Sequence, residues 1–472
     1  MKIFITGATG FIGKALVLRL LRDGHRIVGF TRDLERARGV LGPDVELADA
    51  GGGDLAMRRA LTGCDAAFNL TGENVVGGRW TARRKRALVQ SRVDLTRRLV
   101  SAIGEAERGP RVLVSTSGID YYGDRGDDEL SESSASGGGF LAALCRDWEG
   151  AARAADELGV RVAIARVGVV LGLHGGALEK MLTPFRIGLG GWLGPGDQFV
   201  SWIHLHDLVE ALAAALTDEG FRGAFNAVGP EPIRSREFAE TLGDVLRRPA
   251  RLPLPRPSLE LVLGEAAAPL CTSKRAVPAA LIERGFVFRF GRLRPALEDI
   301  VYADRDVHIE RRGNRYRLSL KTVVHAPLEE VFSFFSKAEN LGVITPPKMQ
   351  FQLRSERPIH MSEGRRIDYR IKVGPVPMRW RSRIATWEVG ARFVDVQERG
   401  PYRHWHHEHV FRADGDSTLV EDTVDYAPPF GPLGRLANRL LIARELRRIF
   451  GYRSDAIRLR FGDAPRQARH AA

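Results

Sequence analysis

The chain opens with a short apolar strand, Lys2–Thr6, that runs straight into glycines at positions 7, 10 and 13. The pattern T-G-x-x-G-x-x-G at a strand-to-helix turn leaves few folds open. Gly7 permits a tight turn, Gly10 lets backbone approach a pyrophosphate, and Gly13 lets the following helix pack on the strand. The helix N-terminus then offers N–H groups and partial positive charge to phosphates. The surrounding sequence completes the unit. Lys14–Arg22 carries Ala15, Leu16, Leu18, Leu20 and Leu21 at helical spacing, and His25–Thr31 is a second apolar strand. A bound nucleotide cofactor is implied; a glycine-rich turn of some other α/β protein is the plainer alternative.

The second strand ends Gly29-Phe30-Thr31-Arg32. Units that prefer NAD place an acid here for the ribose 2′-hydroxyl, whereas an arginine accommodates a 2′-phosphate. Arg32 therefore points to NADP(H), its plainer reading being a solvent-facing arginine at a strand end.

At 472 residues the chain is long enough for two or three domains. Ala66–Leu70, Arg111–Ser115 and Arg161–Val167 read as strands, separated by helical segments such as Thr81–Ile103 and Phe140–Leu158. Such alternation predicts a doubly wound parallel sheet. A proline-marked stretch, 251–257, introduces a small, mostly helical segment that closes the first domain, residues 1–303. After Asp304 the texture changes. Tyr316–Val324, Arg366–Val373, Met378–Glu388, Arg392–Arg399, His404–Phe411 and Leu419–Tyr426 alternate as strands, Leu328–Ser336 is an amphipathic helix, and Pro432–Leu459 reads as one long helix. This predicts a second, α+β domain over residues 314–462, with Pro465–Ala472 as a frayed end.

Composition narrows the function classes. No stretch approaches the roughly 18 apolar residues of a membrane span, and the chain starts on a strand rather than a signal peptide. Cys64, Cys145 and Cys271 are widely spaced, which excludes a disulfide scaffold and a CxxC metal site. A cytoplasmic protein is expected. The net charge of +13 sits mostly after residue 300. Its arginines are interspersed with acids, as on a solvated surface, rather than gathered into a nucleic-acid patch.

Residues 1–300 resemble an atypical, epimerase-like (sugar nucleotide epimerase-related) branch of the extended short-chain dehydrogenase/reductases. The points of contact include Asn69-Leu-Thr-Gly-Glu73, Ser91-Arg92, Ser115-Thr-Ser117, Tyr121-Tyr-Gly-Asp124, Trp148-Glu149, Arg166-Val-Gly-Val-Val-Leu171 and Trp202-Ile-His204 with Asp207. Residues 251–300, with Lys274-Arg275 and Gly285-Phe286, look like this branch's C-terminal segment. The resemblance implies a Rossmann domain binding NADP(H) through Gly7, Thr9, Gly10, Phe11, Ile12, Gly13, Thr31, Arg32, Leu70, Thr71, Gly72, Arg92 and Ser115, and acting on a small-molecule substrate. Typical members use a tyrosine as acid/base and a lysine four residues on, which stabilises the phenolate. Counting back from Glu149 places Leu141 and Cys145 at those positions. Ser117 remains as an oxygen ligand and Tyr121 or Tyr122 as a proton donor, against the plainer reading of packed, hydrogen-bonded loop tyrosines. Cys145 reads as a small buried hydrophobe. Asp207 reads as a helix N-cap with His204 packed beside it, and the resemblance places this segment beside the substrate pocket. Two functions stay open: an NADP(H)-dependent oxidoreductase or epimerase-like enzyme without the Tyr/Lys pair, or a cofactor-binding sensor or assembly factor that has lost catalysis.

Residues 314–462 resemble the helix-grip ligand-binding proteins of the START-related (SRPBCC) superfamily. The residues concerned are Ala326-Pro-Leu-Glu-Glu-Val-Phe332, Ile344-Thr-Pro-Pro347, Gly364 and Trp405-His-His-Glu-His-Val-Phe411. The resemblance implies an apolar cavity, for which Phe332, Phe335, Trp387 and Phe411 are the expected lining and a histidine of the 404–409 cluster the polar anchor. On a strand, His404 and His406 share one face and His407 and His409 the other. Each face then offers two imidazoles, short of the three or four protein ligands usual for zinc, with Glu408 able to join the even-numbered side. Pocket-lining or surface histidines are expected, and no metal.

Overall fold

The computed structural model describes residues 1–374 and 376–463; the end expected to fray, Pro465–Ala472, lies outside the described residues. Contacts divide the chain into two units. Met1–Leu20, Gly24–Arg32 and Glu46–Val301 form the first, and Leu21–Asp23, Asp33–Val45 and the described chain from Tyr302 form the second.

The first unit is built on a seven-stranded parallel sheet. Its order is Gly223–Ala227, Arg161–Val167, Val112–Gly118, Ala66–Asn69, Lys2–Thr6, Arg26–Thr31 and Glu46–Asp49. Strands such as Phe4, Ala67, Leu113, Val162 and Ile164 contribute to one continuous core with Leu99, Ile103 and Ala152 from the helices beside them. A parallel sheet covered on both faces needs such near-continuous apolar strands. The order reverses beside Lys2–Thr6, so the carboxyl ends of that strand and of Ala66–Asn69 border the crevice where doubly wound sheets take their ligands.

The helix expected over Thr81–Ile103 is split: Ala82–Val89 and Leu95–Glu105 are α-helical, and Gln90–Asp94 between them is a π-turn. A single π-turn leaves ordinary helical spacing on either side of it, so the segment reads as one helix. The helix expected over Phe140–Leu158 ends at Arg153, followed by a short 3-10 turn at Asp156–Leu158.

The second unit carries an eight-stranded antiparallel sheet. Its order is His308–Arg312, Arg315–Val324, Ser417–Ala427, His404–Asp414, Arg392–Arg399, Val376–Glu388, Arg366–Val373 and Gln352–Leu353. Register shifts at Arg381/Ser382 and Ile384/Thr386 mark bulges, which bend a sheet and raise its twist. The single C-terminal helix expected over Pro432–Leu459 is instead Gly431–Ala437, a π-turn at Asn438–Ile442, and Ala443–Phe461. Leu446 and Phe450 of the last helix pack on Leu318, Leu320, Val424 and Tyr426 of the sheet. On the sheet's outer face Arg381 pairs with Asp368 and Arg383 with Glu398, so these arginines are matched by acids on neighbouring strands. Among the described residues no helix is long and apolar enough to cross a membrane.

Candidate functional site

The glycine turn has the geometry its sequence demands. Gly7 sits at φ +72°, and a Cβ there would press on the carbonyl of Leu70 at 2.9 Å. A Cβ on Gly13 would collide with the Gly7 carbonyl oxygen, so only glycine lets helix Phe11–Arg22 start this close to the strand. The Gly10 amide donates to the Gly7 carbonyl at 2.9 Å, and Gly10 itself is exposed, with Thr9, Phe11 and Ile12 half-buried around it. The Phe11 ring fills the space beside Gly172, Gly175 and Gly176, which a side chain on any of these would enter.

Arg92 lies on the π-turn, donates to the Glu73 carbonyl at 2.8 Å and sits 5.2 Å from the Trp148 ring. A Cβ on Gly72 would lie 3.0 Å from its guanidinium. Thus Gly7, Leu70, Thr71, Gly72 and Arg92, scattered over the sequence, are brought to one place. Burial lowers the pKa of Arg92, opposed by Cys145, Asp120 and Glu73. Arg32 is exposed after the strand Arg26–Thr31. The acid that follows it, Asp33, is occupied: its carboxylate accepts from the Arg36 amide at 3.0 Å and caps the next helix. Ser115 is buried, and its hydroxyl accepts from Asn69 Nδ2 at 3.2 Å. Asn69 also accepts from Thr6 and donates to Thr96, so this polar floor ties three strand ends together.

The residues expected for chemistry form a second buried network. Ser117 Oγ donates to Glu149 Oε1 at 3.0 Å, and Arg166 donates to both oxygens of Glu149. Tyr122 is fully enclosed; its hydroxyl donates to Asn226 Oδ1 at 2.7 Å and accepts from Arg166 at 3.0 Å. Burial raises its pKa, with Arg166 pulling the other way. The role of proton donor does not fit this environment, because both sides of the hydroxyl are engaged away from solvent. Tyr121 packs under the Arg166 guanidinium at 3.5 Å. On helix Phe140–Arg153, Leu141 packs with Trp148, Leu144 and Trp80, and burial pushes the Cys145 thiol up to about 12. His204, not Asp207, caps helix Leu205–Thr217, its Nδ1 accepting from the His206 amide. Asp207 is buried and takes the amides of Arg289 and Phe290 at 3.0 and 2.9 Å.

The second unit contains a cavity of about 580 Å³, lined by Phe335, Tyr369, Trp380, Trp405 and Leu446 among others. Phe332, Trp387 and Phe411, expected as lining, pack on one another instead, with centroids 5.5 and 5.3 Å from Phe332. His407 and His409 share the buried face of their strand as alternation predicts, and both border the cavity. Glu408 points the other way and pairs with Arg392. The residues sequence reasoning missed are Asp395, Asp422 and Arg453. Asp395 stands opposite His407 on one neighbouring strand, and Asp422 stands opposite His409 on the other. Arg453 reaches Asp422 Oδ1 at 2.8 Å from the last helix. Burial disfavours charge on both imidazoles. The two carboxylates reverse this at His407 and raise its pKa, while at His409 the neighbouring His407 adds to burial and the pKa falls. Asp422 is held well below the ordinary carboxylate range, against burial, by Arg453 and the two histidines.

A parallel sheet whose first strand delivers a glycine turn to the crevice, above a polar floor that ties the strand ends, defines an α/β protein of the dinucleotide-binding class. Residues 3–227 match the NAD dependent epimerase/dehydratase family, and residues 254–300 match a domain of unknown function, DUF1731. The chain is similar to the chloroplastic Epimerase family protein SDR39U1 homolog of Arabidopsis thaliana, 38% identical over 307 residues, which cover 64% of this chain and 87% of the relative. It is also similar to Epimerase family protein Mb2239 of Mycobacterium bovis, 37% identical over 294 residues, covering 62% and 95%. The solved structure of human epimerase family protein SDR39U1 with NADPH superposes with a TM-score of 0.58 at 35% identity, covering 64% of this chain and 99% of that one. The chain belongs to the NAD dependent epimerase/dehydratase family.

Proposed function

We propose that residues 1–303 bind NADP(H) and form an oxidoreductase- or epimerase-like domain that acts on a small molecule without a Tyr/Lys proton relay. The observation that carries the reading is the glycine turn. It is a tight strand-to-helix turn in which a Cβ at Gly7 or Gly13 would strike backbone, and it sets the N-terminus of helix Phe11–Arg22 at the strand's carboxyl end. The amides of the first helical turn, from Phe11 onward, would hold the pyrophosphate, and Arg32 the 2′-phosphate, as the NADPH in the human SDR39U1 structure supports. When bound, the nicotinamide supplies or accepts a hydride. Leu70, Thr71 and Gly72 would flank the cofactor with Arg92 behind them, and the Ser117–Glu149–Arg166 network would keep that side of the site rigid. Titration of the full chain with NADPH, followed by its absorbance with a panel of carbonyl compounds, tests the reading. Saturable binding with bleaching by at least one carbonyl is expected; absence of any cofactor binding overturns it.

A second reading, cofactor binding without turnover, has one specific observation in its favour. Ser117 and Tyr122, which the sequence offers for chemistry, are both committed to buried partners. Binding without bleaching across the panel would select it.

We further propose that residues 314–462 are a START-related (SRPBCC) domain that takes an apolar small molecule in its cavity. The strand order, the long terminal helix and the aromatic lining support this. Binding should show a negative heat-capacity change and weak salt dependence; steeply salt-dependent binding of oligonucleotides instead would overturn it. A cytoplasmic setting belongs to the same proposal and is supported by three free, buried cysteines.

A further inference from the structure

We propose that Asp395, His407 and His409 form a binding site for a divalent first-row transition metal at the wall of the cavity in the second unit. These residues come from two adjacent strands, and one donor atom from each lies within 4.8 Å of the others. Two imidazoles and one carboxylate are a donor set that suits zinc and iron(II) and leaves coordination positions open.

The distances favour an ion over direct hydrogen bonds. Asp395 Oδ1 is 3.4 Å from His407 Nδ1 and 3.5 Å from His409 Nε2. Both separations are long for a charge-assisted hydrogen bond. Donors around a tetrahedral ion with bonds of about 2.0–2.2 Å lie about 3.3–3.6 Å apart, which is the spacing of Asp395 to each imidazole.

The outer side of the rings is equally arranged. His407 Nε2 is hydrogen-bonded to Asp422 Oδ1 at 2.9 Å, and Arg453 donates to the same oxygen. His409 Nδ1 lies 2.9 Å from that oxygen, out of hydrogen-bond alignment, and is a buried nitrogen without a hydrogen-bond partner among the described residues. A carboxylate behind a ligating imidazole fixes its tautomer and orientation. Here Asp422 would turn His407 Nδ1 toward Asp395, while Arg453 neutralises Asp422 and leaves Asp395 as the charged ligand. The remaining positions of the ion would open toward the cavity that Phe335, Trp380 and Trp405 help to line. An occupant with an oxygen donor on an apolar body would fit both features.

The site does not depend on what else fills the cavity, so the test uses metal alone. Chelator-treated full-length protein is titrated with Zn²⁺ and, separately, with Co²⁺, in the absence of NADPH and of any organic ligand. One ion per chain is expected, with visible Co²⁺ bands of a low-coordinate site. Asp395→Asn and His409→Gln should abolish uptake with the circular dichroism spectrum retained. Asp422→Asn, which touches only the outer nitrogens, should weaken uptake about 10–100-fold. Wild-type protein that takes up neither ion overturns the proposal whatever the variants do, and so does uptake that Asp395→Asn and His409→Gln leave unchanged.

Discussion

Glu149 and Arg166 form a two-pronged ion pair, with contacts of 2.8 and 2.9 Å and side-chain exposures of 1% and 2%. The carboxylate also receives Ser117, and the guanidinium reaches Tyr122, so one pair fixes both residues that the sequence offers for chemistry. Breaking a buried pair from one side leaves a charge uncompensated, at about 3–5 kcal/mol. Glu149→Leu should therefore lower stability by that order in urea unfolding, and the double variant Glu149→Leu/Arg166→Met should recover part of it. A loss below about 1 kcal/mol, the level of an exposed pair, would show that the pair is open to water.

Arg32 is exposed and Asp33 is spent on a helix cap, so discrimination between the two nicotinamide cofactors should rest on Arg32. Arg32→Ala should weaken NADPH binding by roughly 1.5–3 kcal/mol, the range for a hydrogen bond to a charged group, and leave NADH little changed. Calorimetric titration of both cofactors decides this. Equal wild-type affinities would sink the assignment.

The Cys145 thiol, pushed up to about 12 by burial, should behave as an inert group. Iodoacetamide should label it in denatured but not in native protein, and Cys145→Ala should leave any turnover within a few-fold. The sign of the pH effect follows from linkage. The folded state holds the thiol proton more tightly than the unfolded state, so this stabilisation is complete below the ordinary thiol range and is lost as pH rises toward about 12. Thermal melting at alkaline pH should fall less steeply in Cys145→Ala than in wild type. Rapid native labelling would make the cysteine a participant.

Gly13→Ala should be far more damaging than Gly10→Ala. The added methyl would collide with the Gly7 carbonyl oxygen at position 13, whereas at position 10 it would stop 3.1 Å short of the same atom. Lower melting temperature together with lost NADPH binding is expected for the first, and retained folding for the second. Comparable melting of both variants would mean that the helix can shift.

The first unit was readable because its signals are local. A glycine spacing, an apolar strand and an arginine at a strand end each carry their own physical reason, and the turn built from Gly7, Gly10 and Gly13 follows them closely. The π-turn at Gln90–Asp94 is not legible because the spacing on either side of it is ordinary and no residue type marks it. The histidine cluster was half legible: alternation put His407 and His409 on one face, but Asp395 enters through strand register, which sequence spacing does not encode. Likewise Phe332, Trp387 and Phe411 read from the sequence as cavity lining, and only packing shows that they meet one another instead.

Asp207 lies in the stretch matched to the epimerase/dehydratase family, while the two amides that satisfy its carboxylate belong to the stretch matched as DUF1731. Neither stretch is self-sufficient on those terms, since cutting between them strands a buried charge. The seam that similarity draws between residues 227 and 254 is thus crossed by hydrogen bonds that a buried side chain needs. A chimera that exchanged either stretch alone would have to rebuild the two amide contacts that keep the Asp207 carboxylate satisfied out of water.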